Sequence, residues 1–93
     1  RSGATFGSLP YMAPEQFLSR PLDGRTDVFA LGQIFYECVT GRRAVPEGSR
    51  REMAEWIIRR EADITPLMAL DPSGGLASVY RRSTAREPAL RFA

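Results

Sequence analysis

An all-α fold is what this sequence predicts, and three observations carry that prediction. Between positions 28 and 39 the run "VFALGQIFYECV" places apolar side chains on every side of a helical wheel. Two later stretches, "REMAEWIIRR" and "LASVYRRSTA", repeat apolar residues at helical spacing. Every proline, and every glycine but Gly32, falls outside these stretches, where turns are needed. Ninety-three residues, 43% of them apolar and 26% charged, suit one small globular domain.

The elements follow in order. Residues 1–12 carry Gly3, Gly7 and Pro10 and read as an irregular loop. "PEQFLS" forms one helical turn, because Pro14 suits a first helical position. "SRPLDGR", with Pro21 and the Asp23-Gly24 pair, is a turn by its chemistry. A helix over 26–40 comes next, with Thr26 or Asp27 as its N-cap and Gly41 to end it. A helix that is apolar all round belongs at the centre of a domain.

"GRRAVPEGS" is a polar loop broken by Pro46 and Gly48. Ser49 with Glu52 three positions on makes a capping box. It leads into an amphipathic helix marked by Met53, Trp56, Ile57 and Arg60, with Glu55 and Arg59 spaced to pair and Trp56 as a half-buried packing aromatic. "ADITPLMALDPSGG" reads as a loop with one short turn. Leu76, Val79 and Tyr80 then mark the apolar face of a last helix, and "REPALRFA" closes the chain.

Composition removes several function classes. The chain has no His, Lys or Asn, and all 13 basic residues are Arg. His general bases, His metal sites, Lys Schiff bases and the lysine of a phosphate-binding loop are therefore excluded from these residues. Cys38, the one cysteine, lies in the apolar helix and is expected to be a buried thiol in a reducing compartment. No apolar run reaches the length of a membrane span, and "RSGATFGS" lacks an apolar signal core, so a cytoplasmic location is expected. Four arginine pairs and a pI near 9.2 invite a nucleic-acid reading. Net charge is only +2, acids are interleaved, and no basic face with aromatics appears, so no nucleic-acid partner is expected.

Three segments, "GSLPYMAPEQ", "DVFALG" and "PALRF", stand in the order and rough spacing of the C-terminal lobe of protein kinases. Over essentially the whole chain the sequence resembles that lobe in bacterial-type serine/threonine kinases, from the end of the activation segment onward. The resemblance implies a partial kinase domain over 1–93, with a substrate loop at the front and helices around a central one. The nucleotide-binding lobe and the catalytic loop are expected to lie outside these positions.

The resemblance also implies roles. Ala13, Pro14 and Glu15 match the Ala-Pro-Glu that closes the activation segment, and Arg91 matches the arginine that anchors its carboxylate. Gly7, Ser8 and Tyr11 belong to the loop facing the substrate, and Ser2 and Thr5 are candidate phosphorylation sites. Asp27 would support the catalytic loop from the N-terminus of the central helix, and Gly32 would permit close packing. No catalytic residue and no metal ligand is assigned to this chain, because the glycine-rich loop, the lysine and the Mg²⁺-holding residues of phosphoryl transfer are not among its residues. ATP and Mg²⁺ are implied for the full-length enzyme only, with a protein Ser/Thr substrate and the other lobe as partners. The alternative is a helical protein-interaction module derived from such a lobe without catalysis.

Overall fold

A computed structural model of the chain describes residues 9–59 and 62–92. Among them every regular element is helical, and the described residues contain no strand. The chain enters through a 3₁₀ turn, Leu9–Tyr11, and a one-turn helix α1, Pro14–Phe17. Pro14 occupies the first turn of α1, and the side chain of Gln16 accepts the Ala13 N–H at 2.8 Å.

The central helix α2, Gly24–Thr40, begins earlier than Thr26 or Asp27 would have it. Asp23 is the N-cap: its Oδ1 accepts the Arg25 N–H at 2.8 Å, and Asp27 falls inside the first turn. Gly41 stops the helix in a left-handed conformation at φ 76°, donating its N–H to the Glu37 carbonyl. Both α5 and the two 3₁₀ turns pack against α2, which is the axis of the fold (α5 being Gly75–Ser83, the second turn Pro88–Leu90).

Burial of α2 is one-sided. Thr26, Phe29, Gly32, Gln33 and Tyr36 recur every three or four residues on the covered face. On the other face Asp27 and Cys38 are exposed, Leu31 is 63% exposed and Ile34 43%. The expectation of a buried Cys38 is therefore wrong: its helix is apolar on both sides, but the described residues cover only one.

Helix α3, Arg50–Arg59, opens on the capping box: Ser49 Oγ accepts the Glu52 N–H at 3.1 Å, and Glu52 Oε1 accepts the Ser49 N–H at 2.8 Å. Among the described residues no ion pair joins Glu55 to Arg59. Helix α4, Thr65–Leu70, occupies the stretch expected to be mostly loop. Pro66 sits in its first turn, where no backbone N–H is required, and Asp63 Oδ1 accepts the Thr65 N–H at 2.9 Å. In α5 the buried residues are Ala77, Tyr80 and Ser83, while Val79 is 44% exposed. The face turns away from Val79 because the Tyr80 hydroxyl reaches Gln33 Oε1 on α2, at 2.7 Å.

Among the described residues two apolar clusters make the core. Tyr36, Ala62, Leu67, Ala77 and Tyr80 form one, with the Tyr36 and Tyr80 rings tilted at 5.0 Å between centroids. Ala13, Phe29, Val45 and Ile57 form the other, and the half-buried Trp56 packs on both. Among the described residues no helix is long and apolar enough to cross a membrane.

Candidate functional site

The Ala-Pro-Glu segment owes its place to one buried ion pair. Glu15 is 1% exposed and Arg91 3%. Arg91 Nη1 donates to Glu15 Oε2 at 2.7 Å and Nη2 to Oε1 at 2.9 Å, two parallel charge-assisted bonds between chain positions 76 apart. The remaining N–H groups of the guanidinium go to backbone: Nη1 to the Arg25 carbonyl at 2.9 Å, Nη2 to Arg86 at 3.2 Å, and Nε to Ala85 at 2.6 Å. That uses all five donors an arginine has. Its plane also lies over the Phe29 ring at 4.9 Å.

The carboxylate is equally well supplied. Thr26 Oγ1 donates to Glu15 Oε2 at 2.8 Å from the first turn of α2. Burial by itself pushes the Glu15 carboxyl upward. The Arg91 hydrogen bond, the backbone and Thr26 bonds and the Arg91 charge together outweigh it and hold Glu15 below its ordinary value of 4.5. One group thus joins α1, the start of α2 and the segment after α5. An exposed pair, Arg20–Glu87 at 3.5 Å, spans the same two segments and adds little in water.

On the neighbouring side of α2, the Tyr11 hydroxyl donates to Glu37 Oε1 at 2.5 Å. That bond, followed by partial burial and the Glu37 charge, raises the phenol above its ordinary range, while the charge of Arg43 pulls the other way. Arg43 carries Nε and Nη2 enclosed and without a hydrogen-bond partner among the described residues. Tyr11, Ile34, Glu37, Cys38 and Gly41 line an open cleft here.

The other sequence-derived candidates fall in different places. Asp27 stands exposed on the outer face of α2. Gly32, five positions on and roughly 140° round the helix at about 3.6 residues per turn, faces α5 instead. A Cβ added there would lie 2.6 Å from Ser83 Cβ and 2.8 Å from Thr84 Cγ2. Gly32 and Asp27 therefore do not share a surface. Ser2, Thr5, Gly7 and Ser8 lie outside the described residues.

Sequence reasoning missed three parts of this arrangement. Thr26 was read only as a cap, Glu37 was not singled out, and the carbonyls of Arg25, Ala85 and Arg86 leave no trace in side-chain identity. Among the described residues no three His, Cys, Asp or Glu side chains converge to hold a metal ion. With no Lys or Asn in the chain either, the described residues do not fit a Mg²⁺–nucleotide site.

Comparison with known proteins returned kinases. The chain is 36% identical over 94 residues to the serine/threonine-protein kinase Pkn1 of Myxococcus xanthus, covering 99% of this chain and 13% of that protein. It is 31% identical over 100 residues to a probable serine/threonine-protein kinase of Corynebacterium efficiens, covering 99% of this chain and 14% of the relative. It is also 31% identical over 100 residues to PknB of Mycolicibacterium smegmatis, where it spans 15% of the relative's length. No family model matches the sequence. Among solved structures, the crystal structure of the Rad53 kinase domain and SCD2 in complex with AMPPNP superposes with a TM-score of 0.76 at 19% identity. The superposition covers 91% of this chain and 34% of that one, and it speaks for the fold.

Proposed function

This chain belongs to the serine/threonine protein kinases as a stretch of their C-terminal lobe, from the end of the activation segment onward, and we propose that it is the substrate platform and helical core of such an enzyme. In the full-length protein the reaction is transfer of a phosphoryl group from ATP to a protein Ser or Thr, with Mg²⁺. The residues that bind nucleotide and metal belong to other parts of the domain, and these residues do not catalyse by themselves.

The observation that carries this reading is the Glu15–Arg91 pair. It fixes the end of the Ala13-Pro14-Glu15 segment to the far end of the lobe through a fully bonded guanidinium. A platform that receives a substrate must hold its loop without reorganising during the reaction, and a buried bidentate pair does this. Tyr11, held by Glu37, belongs to the loop that would face the substrate, a role that the family resemblance also gives to Gly7 and Ser8. Asp27 projects from the outer face of α2, where the catalytic loop would pack, and Gly32 brings α5 close on the inner face. Ser2 and Thr5 are the positions a regulatory phosphate would take.

The test is a chimera. Exchanging the matching stretch of Myxococcus xanthus Pkn1 for this chain should preserve ATP-dependent phosphorylation of a protein substrate, and Arg91→Ala in that chimera should remove it. A chimera that folds and binds nucleotide yet transfers no phosphate would overturn the platform role. A second reading, a non-catalytic interaction module, draws on the exposed Leu31 and Ile34. A monodisperse, cooperatively melting monomer of the 93 residues would favour it.

A further inference from the structure

Three hydroxyls at helix ends behave alike, and a fourth does not. Thr40 Oγ1, Ser83 Oγ and Thr84 Oγ1 each donate to the carbonyl four positions earlier at 2.8 Å. That is how a hydroxyl on a helix is satisfied without leaving it. Thr26, buried in the first turn of α2, instead donates Oγ1 across 11 positions to Glu15 Oε2 at 2.8 Å. Position 22 precedes the helix, and the Asp23 carbonyl already accepts the Thr26 N–H at 3.0 Å. The hydroxyl therefore serves the Ala-Pro-Glu segment.

The residue before it holds the other half of the ion pair. The Arg25 carbonyl accepts Arg91 Nη1 at 2.9 Å. Consecutive residues thus grip the carboxylate by a side chain and the guanidinium by a carbonyl. The residue after it, Asp27, stands exposed on the outer face of α2. A shift of the ion pair reaches the first turn of α2 through these two bonds, and the direction in which Asp27 leaves the helix depends on that turn. Threonine suits the position, because its branched Cβ restricts χ1.

We propose that Thr26 is a positioning residue that ties the Ala13-Pro14-Glu15 segment to the first turn of α2, so that the substrate platform and Asp27 keep one fixed relation during phosphoryl transfer. The enzymatic consequence rests on the platform reading, whereas the tie belongs to the chain alone. Thr26 acts through Glu15 on one side and Asp27 on the other.

Two measurements test this. In the 93-residue chain, Thr26→Val keeps the side-chain shape and removes the hydroxyl. Hydrogen exchange should then quicken several-fold in the first turn of α2 and also at the Leu18 and Arg20 amides, which donate to the Pro14 and Glu15 carbonyls at 3.1 Å. Thr26→Ser restores the hydroxyl and should return these amides to the original rate. Quickening confined to α2, or equal quickening at the Met53 amide on α3, would overturn the tie.

In the Pkn1 chimera, Thr26→Val should lower kcat roughly tenfold per nucleotide-binding molecule, at unchanged nucleotide KM, with recovery in Thr26→Ser. A purely stabilising role would change only the fraction of folded enzyme. An unchanged kcat per nucleotide-binding molecule, or a change in protein-substrate KM alone, would therefore overturn the positioning role. A chimera inactive with Thr26 in place counts against the platform reading instead, and hydrogen exchange still decides the tie. If Thr26→Val fails to fold, Thr26→Cys, with a weaker donor of similar size, replaces it in both measurements.

Discussion

One helix, α2, shows two faces with opposite fates. On the inner face Thr26, Phe29, Gln33 and Tyr36 are buried, each against a specific partner. Thr26 bonds Glu15, Phe29 lies beneath Arg91, Gln33 receives Tyr80, and Tyr36 donates to the Asp63 carbonyl at 2.7 Å. On the outer face Leu31 and Ile34 are as apolar as anything in the core, yet they stand in water. Apolarity states what a face favours, whereas burial also requires an element to cover it. The difference separates what holds this chain together from what the described residues leave open.

The inner face is most sharply tested at its ion pair. Arg91→Ala would strand the Glu15 carboxylate in a site that excludes water, at a cost of about 3–5 kcal/mol. Against a typical domain stability of roughly 5–15 kcal/mol, that would leave the chain partly or wholly unfolded, read by urea denaturation. A loss below about 1 kcal/mol would place the pair among ordinary surface bridges and dissolve the contrast between the faces. The same group sets an acid limit. Glu15 is held below its ordinary 4.5, so its contribution is complete above that value and disappears as pH falls through the lower folded one. The urea midpoint should therefore drop as the solution is acidified below about pH 4.5, and Glu15→Gln should flatten that part of the curve from a lower starting level.

The next largest effect is at Gly32. The Cβ of Gly32→Ala would meet anchored atoms of Ser83 and Thr84 at 2.6 and 2.8 Å. Overpacking of this kind costs about 1–3 kcal/mol, offset in part by up to about 1 kcal/mol of better helix propensity. A net loss in the unfolding midpoint is expected, and a gain would mean that α5 can retreat from α2 without penalty. Smaller again, Ser49→Ala should cost about 1 kcal/mol by removing one bond of the capping box, measurable as a modest fall in melting temperature.

How much of this was legible in sequence depends on the range of the interaction. The capping box and the stop at Gly41 are local, set by side chains within four positions, and both could be read directly. Glu15 and Arg91 were paired through the order of three motifs, because nothing local links residues 76 apart. The N-cap was misplaced since Asp23 and Asp27 both suit a helix start, and only the turn geometry selects Asp23. Val45 is 1% exposed but sits alone in a polar loop with no periodicity to mark it. The helix Thr65–Leu70 was hidden by Pro66, whose first-turn placement is compatible with a helix, though proline usually signals its end. That this helix would leave apolar surface open follows from its apolar faces and missing neighbours, but which side stays open does not: sequence records that Leu31 and Ile34 are apolar, and coverage is a property of neighbours.

The outer face supplies the smallest expected effect and the most discriminating one. If no element covers it, Leu31→Gln should change the stability of the 93-residue chain by no more than about 0.5 kcal/mol, and it should reduce self-association seen by light scattering. Cys38, on the same face, should react with a thiol reagent in the folded chain at close to its rate in denaturant. In a full-length kinase the same two measurements should reverse: Leu31→Gln becomes costly by about 2 kcal/mol or more, and Cys38 becomes slow to label. Reversal would tie the outer face of α2 to the remainder of the domain, because only a covering element can turn a neutral substitution into a core defect. Identical behaviour in the chain and in the whole protein would mean that the face stays open in both, and the interaction-module reading would then gain the stronger support.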